Sequence, residues 1–456
     1  MKRNRLSYHK SSRHRADDPR NWSSRRKKII LYIATFAEIL TPITNTIFYP
    51  AIIDIRTDLK ISDIMINTLL GIYIIFWGIV SYFWAQYSDA YGIRRSIYLT
   101  SLTLFICASV ISALANNILL LIAMRILQAC GASCAICVGV GVLNDIFNPN
   151  ERNFAFGIYF AGYCVGDLLG PVIGGCLDQY LGWRWIYWFL TIYVSLLLLL
   201  ILIFVPETHY RRPSSSSELP LSRSLLSRSQ NKLNLFKPLG LLLYPNIFII
   251  TTYISLIITI MFIQNIIIPI PFTITYNLST YMVGLVYLLA GIGNVLGCVI
   301  GGKFSDYILE KSMKKDESGN VVESVYEKRI NSFWIGSILI IITYPTLGWA
   351  LEMQLNIFII LIALFVGGFS IHMVFSSAIA YLVDAYSIHT ASIMSVSDSL
   401  AFIFSGIMTI LTPLIVNLIG YGWMFTILAG ANLIGMMFSI LVYFKGKNWR
   451  ERSMQD

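Results

Sequence analysis

Long apolar runs separated by short polar or charged segments make up most of the 456-residue chain. Twelve such runs recur, from residues 29–53 to residues 422–444, and each is long enough for a helix across a hydrocarbon core of ~30 Å. Only helices or a closed barrel satisfy all their backbone groups in lipid, and these uninterrupted runs lack the alternation of barrel strands. The pattern therefore predicts an all-α membrane protein with twelve transmembrane helices.

A polar linker divides the spans six and six. Residues 207–245 contain a serine run and six basic residues, and they separate predicted six-helix bundles at 29–206 and 246–444. The remaining residues, 1–28 and 445–456, are predicted tails. The linker therefore divides the chain into two sets of six predicted spans.

Two internal similarities support a duplication. The stretch Trp84–Arg95 (WAQYSDAYGIRR) is echoed by Gly301–Lys311 (GGKFSDYILEK), and Leu181–Phe189 (LGWRWIYWF) is echoed by Ile419–Ile427 (IGYGWMFTI). Repeats of this kind are typical of transporters built from related halves with a site between them, and a receptor would not require them. The predicted fold is therefore two pseudo-symmetric six-helix bundles.

The charged residues orient the chain. It is 56% hydrophobic and only 13% charged, with a formal net charge of +10. Thirty of the 34 Lys and Arg residues lie in tails and connectors on one side of the predicted spans, and three lie on the other side. This asymmetry predicts that both termini are cytoplasmic, and the confinement of charge to helix ends argues against a nucleic-acid partner.

Soluble-enzyme motifs are absent from the sequence. It contains no Walker loop and no pair of histidines at metal-ligand spacing, and all seven cysteines lie in apolar runs. Cys134 and Cys137 form a CxxC pair, which small-residue packing between helices explains more simply than a metal. We therefore expect no enzyme activity, no metal and no cofactor.

Five ionisable residues fall inside predicted spans: Glu38, Arg125, Asp167, His372 and Asp398. Each costs about 3 kcal/mol or more in lipid, so each requires a reason. A carboxylate among apolar side chains, such as Glu38, is suited to exchanging a proton, although near the cytoplasmic end it would instead face water. Arg125 could equally be structural, and His372 fits a hydrogen-bonded packing role. The proton-coupling candidates are Glu38, Arg125 and Asp167.

Polar and aromatic residues cluster near prolines in the first helix of each half. Pro42 and Pro50 in the first half, and Pro269 and Pro271 in the second, would bend both helices toward a shared cavity. The candidate substrate-binding residues are Asn45, Tyr49, Gln128, Tyr159, Tyr163, Gln264, Asn265, His372 and Asp398.

The fifth span contains a run of glycines and one proline: Gly166, Gly170, Pro171, Gly174 and Gly175. Glycines four and five residues apart let a neighbouring backbone approach closely, and the proline bends the helix. A hinge or a tight packing contact is expected there.

At three motifs the sequence resembles the major facilitator superfamily, and within it the fungal drug:proton antiporters with twelve spans. The loop motif G-x-x-x-D-x-x-G-R-[KR] is matched by Asp89, Gly92 and Arg94 but departs from the pattern at Ala85 and Ile93. Arg95 supplies a second cation beside it. The span-four motif is matched by Arg125, Gln128 and Gly131, followed by Asp145. The glycine run of the fifth span matches the antiporter motif.

Shorter matches point to a branch of the family. Thr46–Ile52, the WRWIYWFL run, VPET at Val205–Thr208 and YLVDAY at Tyr381–Tyr386 are similar to the quinidine-resistance, short-chain-acid-resistance and dityrosine exporters. Two departures separate the chain from that branch. Asp167 occupies a position that is usually uncharged, and the linker lacks the glycine-asparagine signature that follows VPET in the branch.

The resemblance implies alternating access, in which two six-helix bundles rock about a central site. A cytoplasmic gate would comprise Asp89, Gly92, Arg94, Arg95, Asp145 and, from the internal repeat, Asp306. Arg125 would tune the proton affinity of Glu38 or Asp167, and protonation would compete with substrate.

The implied function is export of small organic molecules, such as drugs, polyamines, organic acids or amino-acid derivatives, by proton antiport. The alternatives are a proton-independent facilitator, an exporter of one spore-wall precursor such as dityrosine, and a non-transporting sensor. The expected partners are a small-molecule substrate, protons and the lipid bilayer around a monomer. The plasma membrane is the expected location, with a vacuolar or spore membrane as the alternative.

Overall fold

The computed structural model describes residues 19–91, 93–208, 238–312, 314–315, 321–323, 326–386 and 390–453. Twelve long helices account for most of them. The first ten are α1 (Ser24–Thr46), α2 (Asp63–Tyr91), α3 (Arg94–Ala113), α4 (Ile118–Ala132, continued by Cys134–Ile146), α5 (Pro149–Leu181), α6 (Arg184–Phe204), α7 (Pro245–Ile267), α8 (Thr280–Ser312), α9 (Ile330–Glu352) and α10 (Ile357–Ala385).

One further helical stretch, Thr390–Ser453, is broken at Gly420, where φ is 78° and ψ is 172°. Its two parts, residues 390–419 and 421–453, are α11 and α12, so the described residues contain the twelve predicted spans. The prediction of an all-α membrane fold is confirmed. The predicted tail from residue 445 is helical as far as Ser453.

Shorter elements connect these helices. Ile52–Leu59 follows α1, Pro269–Ile274 follows α7, and 3-10 turns lie at Pro19–Asn21, Pro238–Leu243 and Tyr326–Arg329. Between α8 and α9, β1 (Lys314–Lys315) and β2 (Val321–Glu323) form a small antiparallel ribbon.

The internal repeat is visible at matching helix ends. Gly182, after α5, and Gly420, after α11, both have positive φ, at 89° and 78°. These glycines occupy the same position in the repeated LGWRW and IGYGW segments. Glycine suits this position because it adopts a positive φ without the steric cost that a Cβ would add. Asn117 and Asn356 likewise cap α4 and α10, accepting hydrogen bonds from the second residue of each helix.

The segment Trp84–Arg95 is mostly helical, and this corrects the prediction of a connector. α2 continues to Tyr91 and α3 begins at Arg94. Once a helix has formed, each additional residue adds a backbone hydrogen bond. The polar residues that follow the apolar part of α2 therefore extend this helix instead of ending it.

The two ends of the helical bundle carry different charges. One end, here called the basic end, includes the α2–α3 junction with Arg94 and the start of α9 with Arg329. The other, called the opposite end, includes the short helix Ile52–Leu59 and the starts of α6 and α8.

α5 lies between α1 of its own half and α8 of the other half. Four glycines at four-residue spacing face α1: Gly162, Gly166, Gly170 and Gly174. A Cβ at the first three positions would overlap atoms of α1. A Cβ at Gly174 would overlap the carbonyl oxygen of Ile47, the residue directly after α1. On the α8 side, a Cβ at Gly175 would lie 2.6 Å from the Thr280 carbonyl oxygen. The glycine run for which a hinge or a tight contact was predicted therefore lets α5 pack closely against α1 on one side and α8 on the other.

α2 and α11 form the second contact between the halves. Their backbones approach at Gly71 and Gly406, and Trp77 stacks on Phe402 with ring centroids 4.0 Å apart. The Ser399 hydroxyl donates to the Gly78 carbonyl oxygen at 2.6 Å. The halves are therefore joined by two helix pairs at positions related by the internal repeat.

Replacing Gly174 with alanine tests the close packing of α5. The added methyl overlaps the Ile47 backbone, so we expect a loss of about 1–3 kcal/mol in unfolding free energy, measured by thermal unfolding in detergent. Gly157→Ala is the matched control, because nothing lies within 4 Å of its added methyl. It should be neutral, or stabilising by up to about 1 kcal/mol. Equal effects of the two changes would contradict this packing.

Candidate functional site

Arg94 is the centre of a buried ionic cluster at the basic end. Its Nε lies 3.5 Å from Asp145 Oδ2, its Nη1 donates to the Ser88 hydroxyl, and its guanidinium packs against Gly141. These contacts join the ends of α2, α3 and α4. The side chain of Asp89 and all of Gly92, both predicted gate residues, lie outside the described residues.

Glu207 fastens the start of the linker to the same cluster. Its two carboxylate oxygens accept the backbone N–H groups of Arg94 at 2.9 Å and Arg95 at 3.2 Å. These donors have no intrahelical partner at the beginning of α3, and the helix dipole favours a negative charge there. The Thr208 hydroxyl also donates to Asp145, at 3.4 Å. The VPET segment therefore clamps α3 to α6.

The second half contains a corresponding cluster around Arg329. Its Nη1 lies 2.7 Å from Asp306 Oδ1 and donates to the Ser305 hydroxyl at 3.0 Å. Its Nε and Nη2 both reach Asp384 Oδ2, at 2.8 and 2.7 Å. Each half thus has a serine from its second helix and an aspartate from its fourth helix around one arginine.

Sequence reasoning included Asp306 but missed Arg329, Asp384 and Glu207. A signal for two of them was present, because Arg329 follows Arg94 by 235 residues and Asp384 follows Asp145 by 239, close to the 217 that separate the two Ser-Asp pairs. Applying the repeat to the fourth and tenth spans would have identified Asp384. For Glu207, only its place in VPET was a signal.

Arg125 is fully buried inside the first half without a carboxylate. Its Nη1 donates to the Thr44 carbonyl oxygen at 3.2 Å and to Gln128 Oε1 at 3.3 Å. The guanidinium carbon lies 4.1 Å from the centre of the Phe48 ring and 4.7 Å from that of Tyr73. Two aromatic faces, a carbonyl and an amide therefore surround the charge. The expected coupling of Arg125 to Glu38 or Asp167 has no ion pair behind it among the described residues.

Glu38 is fully buried on α1 and takes its hydrogen bond from Tyr159. The Tyr159 hydroxyl donates to Glu38 Oε2 at 2.5 Å and lies 2.9 Å from the Ala135 carbonyl oxygen. Among the described residues, Glu38 Oε1 has no hydrogen-bond partner. Of the two readings left open by the sequence, the structure favours the buried carboxylate over one facing water. The other glutamate oxygen remains available to a further donor.

Two more carboxylates approach this position from both halves. Asp167, on α5, accepts a hydrogen bond from Asn294 Nδ2 of α8 at 3.2 Å. Asp398, on α11, is half-buried and interacts electrostatically with Glu38 and Tyr163. Tyr163 also interacts with Asp167. One region between the halves therefore contains three acidic groups.

Aromatic and amide groups extend this region toward the opposite end. Tyr49 stacks on Tyr287 of the other half at 5.8 Å between ring centroids, and Asn45 Nδ2 donates to the Tyr49 hydroxyl at 2.9 Å. Tyr287 in turn donates to the Asn265 carbonyl oxygen. This chain of contacts links predicted substrate residues of α1 and α7 through α8.

The remaining predicted substrate residues are more scattered. Gln128 is fully buried and donates to Ser109 at 2.8 Å, and Gln264 accepts from Tyr344 within the second half. His372 is half-buried, and its ring centroid lies 6.0 Å from that of Phe375 in an edge-on arrangement. The structure therefore brings together Glu38, Asp167, Asp398 and Tyr163, while Gln128 and Gln264 lie within the packing of single halves.

At the opposite end, hydrogen bonds close the space between the halves. The Thr280 hydroxyl donates to Asp54 at 3.3 Å, and the Tyr281 N–H donates to Gln179 Oε1 at 2.9 Å. Two further contacts between the halves, Asp167–Asn294 and Gly78–Ser399, lie near the middle of the helices. The contacts named so far therefore extend from the opposite end to about the middle.

The repeated LGWRW segment also has an electrostatic role at the opposite end. Arg184 Nη1 donates to Asp58 Oδ2 at 2.7 Å, and Trp183 Nε1 donates to the same oxygen at 3.0 Å. These bonds, that of Arg184 above all, hold the pKa of Asp58 below its usual range. They attach the start of α6 to the short helix that follows α1.

Metal-binding geometry is not found in the described part of the chain, where no three His, Cys, Asp or Glu residues are grouped closely enough to hold an ion. The CxxC cysteines have other partners. Cys134 Sγ lies 2.7 Å from the Ser101 hydroxyl, and Cys137 donates to the Ser81 carbonyl oxygen at 3.1 Å.

The two aspartates around Arg329 provide a matched test of the second cluster. Asp384→Asn removes a carboxylate whose side chain is 32% exposed and should cost about 2 kcal/mol of unfolding free energy. Asp306→Asn removes one that is 70% exposed, so solvent screening should limit its cost to about 1 kcal/mol or less. Thermal unfolding in detergent measures both. A larger effect at Asp306 would show that the cluster is not organised around Asp384.

Comparisons with known proteins agree with this architecture. The chain is 36% identical to MFS antiporter QDR3 of Candida albicans over 215 residues, which are 47% of this chain and 30% of that protein. It is 28% identical to citrate exporter 1 of Aspergillus niger over 468 residues, covering 93% of this chain and 87% of that protein. The resemblance to fungal drug-type transporters is confirmed.

Solved structures share the fold. A bacterial homologue of the lysosomal transporter Spinster, in an inward-facing conformation, aligns with a TM-score of 0.70 at 13% identity, covering 94% of this chain and 99% of that one. A D-xylose–proton symporter aligns with a TM-score of 0.68 at 16% identity, covering 90% and 96%. The model of the Major Facilitator Superfamily matches residues 34–315. The chain therefore belongs to the Major Facilitator Superfamily and is a multi-pass membrane transporter, not an enzyme.

Proposed function

We propose that the protein exports small organic molecules in exchange for protons, as its two halves alternately open a central site to each side of the membrane. The observation that carries the proposal is the acidic region formed by Glu38, Asp167 and Asp398, which belong to both halves. Transporters with repeated halves bind substrate and coupling ion at such an interface.

The contacts between the halves support alternating access. Those named here occupy the opposite-end half of the helices, whereas the ionic clusters at the basic end lie within each half. Asp306 is 70% exposed and can take a new partner when that end closes. With the basic end in the cytoplasm, as the positive charges favour, this arrangement corresponds to an inward-facing state. The plasma membrane is the proposed location.

The Glu38 carboxyl group is the proposed point of exchange between proton and substrate. Its Oε2 accepts a hydrogen bond from the Tyr159 hydroxyl, and its buried Oε1 has no hydrogen-bond partner in the part of the chain that the structure describes. A buried carboxylate oxygen requires a donor, which can be a proton on the carboxyl group itself or an N–H of a bound substrate. Since one oxygen cannot satisfy both needs at once, proton and substrate would compete.

The charges in the central region favour a substrate that carries an amine. The central region contains three carboxylates, whereas the cation Arg125 is fully buried between two aromatic rings and pairs with none of them among the described residues. An anion such as citrate, the cargo named for the Aspergillus relative, would be repelled by like charges at short range. Organic cations, polyamines included, are therefore proposed over organic acids.

Glu38→Gln tests the proton coupling. In proteoliposomes with an imposed pH gradient, wild-type flux of an organic cation should rise at least about tenfold over the flux without a gradient, and Glu38→Gln should abolish this rise because the amide does not exchange a proton. Glu310→Gln, at an exposed carboxylate of α8, is the matched control and should behave like wild type. If Glu38→Gln still responded to the gradient, the assignment would be wrong. Gradient-independent wild-type flux would instead indicate a facilitator.

Substrate charge is tested with two labelled compounds. Proteoliposomes should transport a polyamine and should not transport citrate above the protein-free background. Asp398→Asn should raise the KM for the polyamine about tenfold, since it removes one of the three negative charges. Transport of citrate alone would overturn the proposed substrate class, and the comparison of wild type with Glu38→Gln would then be made with citrate flux, which tests the proton coupling separately.

A further inference from the structure

A groove of about 500 Å³ opens on the surface of the second half, away from the central acidic region. It runs between α7, α11 and α12, and its lining is almost entirely apolar and aromatic. Four of its side chains, Phe248, Phe404, Ile434 and Phe438, are each about half exposed. This volume lies in the range of small-molecule sites, yet the groove is open along the side of the helices.

The floor of the groove offers little to a polar ligand. Tyr253 is its most polar large side chain, and its hydroxyl already bonds to Ser337 and to Asn432 Oδ1, the latter at 3.0 Å. Asn432 Nδ2 is in turn occupied by the Ser337 carbonyl oxygen at 3.0 Å. Because these polar atoms satisfy one another, the groove suits a hydrocarbon chain better than a drug or an amine.

A positive charge lies beyond one end of the groove. Ala431 and Phe438 line it on α12, and Lys445 follows at the same seven-residue spacing, so all three share one face of the helix. Lys445 is exposed and lies about 10 Å from Phe438 toward the basic end. A lysine at this depth is where the phosphate of a lipid would sit when its acyl chain follows the groove.

The neighbouring segment has the character of a membrane interface. The turn Pro238–Leu243 packs beside α7 and the helical stretch Thr390–Ser453 at the same end, and Leu243 is 85% exposed. An apolar side chain so exposed at a helix end is stable when it contacts lipid at the headgroup level. The groove, Lys445 and this turn therefore follow the order of acyl chain and headgroup in one leaflet.

We propose that this groove is a binding site for one anionic phospholipid, with an acyl chain between α7, α11 and α12 and the phosphate at Lys445. A neutral phospholipid would fill the same groove, but it has no net negative charge to be attracted to Lys445. A second protein helix is not favoured, because charge at one end and hydrocarbon along the rest match a lipid.

Native mass spectrometry of the full chain in detergent tests the site. We expect one phosphatidylserine to be retained about fivefold more strongly than phosphatidylcholine, which corresponds to one lysine near a membrane surface. Lys445→Gln should abolish this preference, and Lys28→Gln, an exposed lysine on α1, should leave it unchanged. Ala431→Phe should reduce retention of both lipids, whereas Leu433→Phe, on another face of α12, should not. Equal retention of the two lipids by wild type, or an unchanged preference in Lys445→Gln, would overturn the proposal.

A second measurement needs no variant. Phosphatidylserine with a photoreactive group on its acyl chain is irradiated with the wild-type protein, and the labelled peptides are identified. Labelling concentrated in residues 248–256, 400–404 and 431–438 supports the site. Labelling spread evenly over the exposed faces of the twelve helices would mean that lipid fills the groove without being bound there.

Discussion

The cost of leaving a charge without a partner in a dehydrated helix bundle is the constraint on which this structure depends. Three of the five ionisable groups in the predicted spans have specific polar or aromatic partners. Arg125 lies between two aromatic rings and donates to a backbone carbonyl, Glu38 accepts from Tyr159, and Asp167 accepts from Asn294. Two of these arrangements are incomplete, since Glu38 Oε1 and two nitrogens of Arg125 have no hydrogen-bond partner among the described residues. Incomplete satisfaction in lipid is a cost that function explains better than stability.

α5 connects this constraint to the surface where the two halves meet. Its glycines bring it against α1, which carries Glu38, and its other face packs on α8 near Thr280 and Gly284. Asp167 lies within the same glycine run, so its hydrogen bond to Asn294 forms at the surface where the halves meet. A proton or substrate that changes the charge at Asp167 would therefore act directly on a contact between the halves. The negative charge that separates this chain from its branch of the family lies at that contact.

The spans, their number and the duplication could be predicted from the sequence, because runs of apolar residues and repeated segments are local features. The partners of the buried charges could not. Position within a span does not specify which helix the side chain faces, so Arg125 was expected near a carboxylate but lies over Phe48 and Tyr73. Arg329 was missed for a related reason. It precedes the ninth span among other charged residues, and only the folded cluster distinguishes it from Lys328.

At the basic end, each half has a charged contact between the end of its sixth helix and the start of its third, and the residues that form it differ between the halves. In the first half, Glu207 follows α6 and holds the backbone at the start of α3. In the second half, Arg450 near the end of α12 lies 3.4 Å from Glu327, just before α9. Each half thus ties the end of its sixth helix to the start of its third, with the sign of the charge reversed. Because these ties lie within a half, each bundle can move as a unit.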